Sequence, residues 1–279
     1  MSVIKASAAS IKSHSGSVLM NGWFFIILIG AVLILGSLFY TLNVSWDSLA
    51  NSRTLSNFIS TVGEMFPPNF AVVPTLGKAI VETLVMSVMA TILAVFLSFP
   101  LSFLAAEKTS LHPSVRYMAK GIFNALRTIP ELIMAIIFVA SVGFGILPGI
   151  LALGIHSAGM LGKFYAEAIE KVDTGLIEAV ESSGGSRFHV IVFSVIPQIV
   201  SHCIDFTLYR WEYNFRASTV VGMIGAGGIG FQLIASLRIM QYQDVLAILA
   251  VVFVMVQLVD AFGNMIRRKL LFGENGTNR

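Results

Sequence analysis

Residues 178–197 read EAVESSGGSRFHVIVFSVIP and place a short polar segment between two long apolar stretches. The first ten of these residues include two glutamates, three serines and one arginine, whose polar groups cannot be left unsatisfied in hydrocarbon. The segment is therefore expected in water between two membrane spans. Asp173 or Thr174 can cap the start of a helix, and Gly184-Gly185 can end it. We predict a short exposed helix here; an ordinary polar loop is the alternative.

The composition restricts the class of protein. The chain has 279 residues, of which 56% are hydrophobic and only 12% are charged, whereas a soluble domain carries roughly 25% charged residues. We therefore predict an all-α integral membrane protein. The sequence pI of about 9.1 does not indicate nucleic-acid binding, because the basic residues cluster at the ends of apolar runs. A single cysteine, Cys203, excludes an intrachain disulfide and a cysteine-based metal site.

Apolar runs of sufficient length predict six transmembrane helices. The predicted spans are residues 23–42, 83–106, 116–142, 150–166, 188–209 and 245–266. Alternation across the membrane then puts 12 of the 18 lysines and arginines on one side, five on the other, and Arg127 within a span. The positive-inside rule makes the richer side cytoplasmic. We therefore predict that both termini and the polar segment at 178–187 are cytoplasmic.

The spacing of the polar segment resembles the EAA loop in the inner-membrane subunits of ABC-type importers. Glu178-Ala179, Gly184 and Pro197 give E-A-x4-G-x12-P. Val180 departs from the family, which often has alanine at that position. The resemblance implies a coupling helix that docks on an ATPase subunit. The residues expected to couple to the ATPase are Glu178, Ala179, Glu181 and Gly184.

A second stretch, residues 209–231, reads YRWEYNFRASTVVGMIGAGGIGF and resembles the permease subunits of phosphonate-type importers and their phosphite and hypophosphite relatives. Arg127-Thr128-Ile129-Pro130-Glu131 and Phe66-Pro67-Pro68 match further motifs of that family, so the likeness covers about residues 65–270. It implies a type I ABC importer permease fold. We divide the chain into residues 1–74 (tail, first span and external loop), 75–270 (permease core) and 271–279 (cytoplasmic tail).

The resemblance also implies a function. The chain would be a permease subunit of the bacterial inner membrane, embedded in lipid, that moves a small phosphorus oxyanion inward. The chain itself would be non-catalytic and hold no cofactor or metal, because partner ATPase subunits would bind ATP and magnesium. A second permease copy, forming a homodimer, and an external substrate-binding protein would complete the assembly. No nucleic acid is expected.

Three other functions remain open. The chain could be a permease for another solute, such as methionine. It could be an ion-coupled secondary transporter, although such proteins usually contain inverted repeats and none is visible in the sequence. It could also be a structural membrane protein. Co-purification of an ATPase subunit would separate the first class from the other two.

Ionisable residues within spans are costly and are therefore candidates for the translocation pathway. Arg127 and Glu131 are four residues apart, as are Glu212 and Arg216, so each pair can form an ion pair on a continuous helix. If Pro130 instead breaks the helix, freed backbone groups there would line a cavity. The expected pathway residues are Arg127, Glu131, Arg210, Glu212, Asn214, Arg216 and Ser218. Arg210 and Arg216 are expected at the outer mouth and Arg127 deeper. The alternative is that the pairs only orient helices.

The glycines after this segment include a misleading motif. Gly225, Gly227 and Gly230 spell G-x-G-x-x-G, but a dinucleotide site needs a preceding strand within a βαβ unit, and a membrane span precedes this one. A re-entrant turn near the pathway or close helix packing through small residues fits better. The glycines concerned are Gly222, Gly225, Gly227, Gly228 and Gly230.

Overall fold

The computed structural model describes residues 24–38, 40 and 52–271, and every secondary-structure element within them is helical. The predicted tail at residues 1–22 lies outside the described part, as do residues 272–279 of the predicted cytoplasmic tail. The chain forms two compact units, residues 1–63 and 64–279. The prediction of an all-α protein agrees with the helical structure of the described residues.

The first unit contains an exposed apolar helix, α1 (Phe24–Leu38). It also contains nearly all of an amphipathic helix, α2 (Ser52–Glu64). Helix α1 occupies most of the predicted first span, residues 23–42, whose remaining positions lie largely outside the described residues. The described part of α1 alone is shorter than the roughly 20 residues that a span needs, and the flanking positions of the predicted span lie largely outside the described residues.

The second unit begins with a short 3-10 helix, Phe70–Leu76, and continues as a helical bundle. Its remaining helices are α3 (Gly77–Ala105), α4 (Pro113–Thr128), α5 (Glu131–Val142), α6 (Ile146–Glu170), α7 (Thr174–Ser182), α8 (Arg187–Ala226), α9 (Gly228–Arg238) and α10 (Tyr242–Leu271).

Helices α3 and α6 form the most extensive helix pair, and α8 packs against both. Small residues permit the close approach: a Cβ atom at Gly154 would lie 2.7 Å from Leu93 Cδ2, and Ala90, Ala94 and Ala152 are fully buried. Close contact through small residues is the usual basis of helix association in lipid, where no hydrophobic effect drives helices together.

Among the described residues, four helices are long and apolar enough to cross a membrane, namely α3, α6, α8 and α10. Helices α4 and α5 pass that test together but are bent by 82° at the break between them. The predicted third span at residues 116–142 is therefore interrupted, with a helix on either side of the break. Pro130 explains the break, because proline disfavours helical geometry at the preceding residue; Ile129 is extended, with φ −81° and ψ 120°.

The helix of the predicted fifth span, residues 188–209, extends beyond that range. Helix α8 continues to Ala226, with π-helical turns at Ile191–Val195 and Gly222–Ala226. The stretch after residue 209, where Arg210 and Arg216 were expected at the outer mouth, is thus helical as far as Ala226. Its polar residues do not end the helix because Arg210, Glu212 and Asn214 are buried and hydrogen bond to side chains of other helices.

Candidate functional site

The polar segment that follows α6 folds as predicted into a short helix, α7. Asp173 is the N-cap, since its Oδ1 accepts a hydrogen bond from the backbone N–H of Gly175 at 2.8 Å. Gly184 ends the helix with φ +78°, a conformation that glycine adopts without strain. The alternative of an ordinary loop is excluded.

The four residues expected to couple to an ATPase, Glu178, Ala179, Glu181 and Gly184, are all exposed. Beside them lies an open cavity of about 570 Å³, lined in part by Leu176, Val180, His189 and Phe193. Leu176 is 50% exposed and Phe193 66% exposed. An exposed helix beside uncovered apolar side chains is a surface suited to contact with another protein.

A buried chain of hydrogen bonds joins α8, α6 and α3. Arg210 Nε donates to Ser157 Oγ at 2.8 Å, and Ser157 Oγ donates to Asn214 Oδ1 at 2.8 Å. Asn214 Nδ2 donates in turn to Thr91 Oγ1 at 2.9 Å. Arg210 is 4% exposed, and Ser157 and Asn214 are fully buried. Arg210 was expected at the outer mouth; it lies instead inside the helix bundle.

A second set of contacts covers the guanidinium of Arg210. Its Cζ lies 4.2 Å from the ring centroid of Tyr213, a cation–π distance. Tyr213 Oη donates to Glu131 Oε1 at 2.8 Å. The other carboxylate oxygen, Glu131 Oε2, lies 3.4 Å from His156 Nε2. Glu131 therefore contacts residues of α6 and α8 rather than Arg127, and the expected Arg127–Glu131 pair is absent from residues 52–271.

Arg127, at the end of α4, is separated from Glu131 by the helix break and faces a cavity of about 240 Å³. Lys120, Lys163, Glu167 and Glu170 also line this cavity. Two ion pairs cross or flank it, Lys120–Glu170 at 3.0 Å and Lys163–Glu167 at 3.5 Å. The i, i+4 pair fails because it required a helix that continued through Pro130.

The expected Glu212–Arg216 pair is also absent from residues 52–271, although both residues lie on the continuous helix α8. Arg216 Nη1 instead donates to both carboxylate oxygens of Asp260 on α10, at 2.8 and 3.1 Å. Glu212 Oε1 lies 3.4 Å from Nη2 of Arg267, whose Nε donates to Asp205 at 2.6 Å. Residues of α10 therefore pair with both Glu212 and Arg216, and these ion pairs connect α8 to α10.

Ser218 is buried, and its hydroxyl donates within its own helix to the carbonyl of Phe215 at 2.7 Å. This hydrogen bond does not join Ser218 to any of the other expected pathway residues.

The glycine stretch combines the two geometries expected as alternatives. Gly225, Gly227 and Gly228 have φ values of +113°, +82° and +69° and form the turn between α8 and α9. Gly222 and Gly230 instead permit close packing: a Cβ atom at Gly230 would lie 1.8 Å from the Thr219 carbonyl oxygen, and one at Gly222 would lie 2.5 Å from that of Gly227.

Several partners in this region were missed by the sequence analysis. They are Thr91, Ser157, Tyr213, Asp260 and Arg267. Ser157 and Thr91 carry no signal in the sequence, since hydroxyl residues are common in apolar helices. Tyr213 lies within the motif at residues 209–231, and its position beside Arg210 and Glu212 was the available signal.

Comparison with known proteins identifies the family. Residues 98–271 match the family described as binding-protein-dependent transport system inner membrane component. The chain belongs to this family. It is accordingly an inner-membrane component of a transport system, as the sequence analysis predicted.

Two curated relatives are similar over most of the chain. The phosphite transport system permease protein of Stutzerimonas stutzeri is 51% identical over 224 residues, which cover 79% of this chain and 82% of that protein. The phosphate-import permease protein of Mycolicibacterium smegmatis is 42% identical over 215 residues, which cover 77% of this chain and 40% of that protein.

The fold is that of ABC importer permeases. A chain of the MetNI methionine ABC transporter, in an inward-facing conformation, superposes with a TM-score of 0.61 over 69% of this chain and 94% of that chain. Its sequence identity is 20%, so this likeness shows the fold and carries no information on the transported solute. The prediction of an ABC importer permease fold is therefore confirmed.

Proposed function

We propose that this chain is the membrane-spanning subunit of an ABC importer that carries a small phosphorus oxyanion inward. The observation that carries the proposal is the 51% identity to a phosphite transport permease over most of both chains. A second relative, at 42% identity, is named for phosphate import. Phosphite, phosphate and phosphonates share a phosphorus centre with negatively charged oxygens, so one pathway chemistry suits the whole class.

The proposed energy source is ATP hydrolysis by separate ATPase subunits that dock on α7. Glu178, Ala179, Glu181 and Gly184 would form the contact, since all four are exposed. The uncovered apolar cavity beside Gly184 supports a protein partner at this place. ATP and magnesium would be bound by those partners. Closure of the ATPase pair would move α7, and rigid-body rotation would carry that motion into the spans.

The proposed assembly contains two copies of this chain, an external substrate-binding protein and two ATPase subunits. We infer six spans with both termini in the cytoplasm: α1 would supply the first span, the bent pair α4 and α5 the third, and α3, α6, α8 and α10 the others. The exposed positions of α7 would then lie on the cytoplasmic side. The excess of lysine and arginine on that side supports the orientation.

The proposed pathway comprises the polar residues of α8 and of the broken span, together with the glycine turn. These residues are Arg127, Glu131, Arg210, Glu212, Asn214, Arg216, Ser218, Gly222, Gly225, Gly227, Gly228 and Gly230. An anion that crosses hydrocarbon needs positive charge or backbone donors along its way, but a site that binds too tightly would retain it. The structure supports a sparse arrangement, because the arginines lie at separate places rather than in one cluster.

Reconstitution tests this proposal. The purified complex, with its ATPase and its substrate-binding protein, would be placed in proteoliposomes with ATP inside and offered phosphite, phosphate, methylphosphonate or methionine. We expect uptake of at least one phosphorus oxyanion and none of methionine. Methionine uptake without phosphorus oxyanion uptake would overturn the substrate class. Uptake driven by an ion gradient in the absence of ATP would overturn the ABC mechanism.

A further inference from the structure

Arg210 is a buried cation with an unused donor. It is 4% exposed, and its Nη2 makes no hydrogen bond among the residues that the structure describes. Within residues 52–271 it also forms no ion pair with a carboxylate. An uncompensated buried charge is expensive, and an ionisable residue inside a membrane protein is by default a candidate for function.

The depth of Arg210 follows from its partners. Thr91 lies 14 residues from Gly77 and 14 from Ala105, the two ends of α3. Ser157 lies 11 residues from the start of α6 and 13 from its end. The hydrogen bonds that join these two residues to Arg210 and Asn214 therefore lie at the middle of two long apolar helices, so the guanidinium lies near the mid-length of two candidate membrane spans.

We propose that Nη2 of Arg210 is the contact site for the oxyanion at the middle of its passage. This inference rests on the proposed function and adds to it a specific binding atom. The guanidinium is a planar fork of donors suited to an oxyanion. Ser157 fixes its Nε, Asn214 fixes Ser157 and Thr91 fixes Asn214, so the free N–H groups are held in one orientation before the anion arrives. Such preorganisation reduces the cost of binding.

The structure shows this site covered. The Tyr213 ring lies over the guanidinium, and its hydroxyl is held by Glu131. Tyr213 belongs to α8, whereas Glu131 begins α5, immediately after the 82° break. A movement of α5 relative to α8 would therefore break this hydrogen bond and free the ring. While the Tyr213 ring covers the site, the nearby Glu131 carboxylate would also repel an anion. This repulsion would favour release of the anion.

The other two candidate arginines lack this combination. Arg216 is engaged by both oxygens of Asp260, and its side chain is 43% exposed. Arg127 is half-buried beside a cavity that already contains two lysines and two glutamates. Neither offers a fully buried donor without a partner. The central contact is therefore assigned to Arg210.

The test uses the complete transporter in proteoliposomes, with radiolabelled phosphite as the probe. The quantity measured is phosphite taken up per ATP hydrolysed, for wild type, Arg210→Gln, Arg210→Lys and the matched control Arg268→Gln. Arg268 is exposed near the end of α10. We expect the ratio to fall about tenfold or more in Arg210→Gln, because a charge-assisted hydrogen bond is lost. It should fall less in Arg210→Lys and be unchanged in the control.

A purely structural role for Arg210 would lower uptake and ATP hydrolysis together and preserve their ratio; that result would overturn the proposal. If Arg210→Gln does not assemble, Arg210→Lys decides in the same way, since it retains the charge but loses the fork. Absence of all phosphorus oxyanion uptake by the wild type would instead overturn the proposed function.

Tyr213→Phe tests the cover separately. It retains the ring over Arg210 but removes the hydroxyl that Glu131 holds. Phosphite efflux from loaded proteoliposomes without ATP should rise about two- to tenfold, because one hydrogen bond that keeps the cover shut is lost. Efflux equal to that of the wild type would overturn the role of Tyr213 as a cover.

Discussion

Glu82 Oε2, on α3, accepts a hydrogen bond of 3.0 Å from the backbone N–H of Gly228, the first residue of α9. The next residue of each helix repeats the contact, since the N–H of Ile229 donates to Thr83 Oγ1 at 2.9 Å. The first N–H groups of a helix have no partner within it, and a carboxylate there is favoured by the helix dipole. Helix α3 therefore caps α9 and fixes the glycine turn.

The first prediction concerns this cap. Thr83→Val should destabilise the fold by about 1–3 kcal/mol, because it leaves the buried N–H of Ile229 without an acceptor. Glu82→Gln should have a smaller effect, since the amide oxygen can still accept from Gly228. Thermal unfolding of the purified complex in detergent measures both changes. Thr128→Val is the matched control, because that hydroxyl is exposed and bonds only within its own helix; an equal loss in the control would contradict the capping role.

The second prediction concerns the end of α7. Gly184→Val should weaken association with the ATPase about tenfold while the membrane fold persists. The left-handed conformation at Gly184 costs a residue with a Cβ atom about 1–2 kcal/mol, and the helix end would shift to relieve it. Co-purification of the ATPase, together with ATP hydrolysis coupled to uptake, measures the effect.

Two variants serve as controls for Gly184→Val. Gly184→Asn should retain most of the activity, because asparagine tolerates the left-handed conformation. Gly121→Val should have wild-type assembly, since Gly121 is an exposed helical glycine with open space at its Cβ position. If Gly184→Val retains full assembly and transport, α7 is not the coupling helix.

The third prediction concerns topology. Single cysteines at Ser56 and Ser182, both exposed, should be labelled from opposite sides of the membrane by an impermeant thiol reagent. The background is Cys203→Ser, which removes the buried native thiol. Ser182 should react only from the cytoplasmic side, in inverted vesicles. Labelling of both positions from the same side would contradict the six-span arrangement.

The fourth prediction concerns Arg216. Arg216→Asp should lose transport, since it places two carboxylates together at Asp260. The exchanged double variant, Arg216→Asp with Asp260→Arg, should recover assembly and ATP hydrolysis but not uptake, because the positive charge is displaced from the pathway. In the wild type, the side chains of Arg216 and Asp260 are 43% and 33% exposed. Their ion pair should therefore contribute at most about 1 kcal/mol to stability. Uptake by the double variant at the wild-type rate would show that Arg216 has only a structural role.

Helix α7 could be predicted because its signals are local. The capping residue Asp173, the helix itself and the terminating Gly184 lie within 12 consecutive residues, and each acts on its neighbours through backbone hydrogen bonds. The membrane class followed from composition, because few charged residues can be left in hydrocarbon. These features depend little on how distant segments meet.

The partners of the charged residues could not be predicted, because they come from distant segments. Arg216 and Asp260 are 44 residues apart in sequence, and Glu212 and Arg267 are 55 apart. The spacing of four residues correctly placed Glu212 and Arg216 on one helix, but α10 supplied a closer partner for each. Arg210 was expected at the outer mouth because its charge was weighed without the buried hydroxyl and amide groups of Ser157 and Asn214.

The length of α8 has a mechanical consequence. Arg210 lies 23 residues, or about 35 Å, from Arg187 at the end next to α7. Helix α8 thus connects the end next to α7 with Arg210 as one long element. A tilt of about 5° about that end would displace Arg210 sideways by about 3 Å, the length of the hydrogen bonds that hold its surroundings. If an ATPase docks on α7 as proposed, a small rotation imposed there would become a displacement of this size at Arg210.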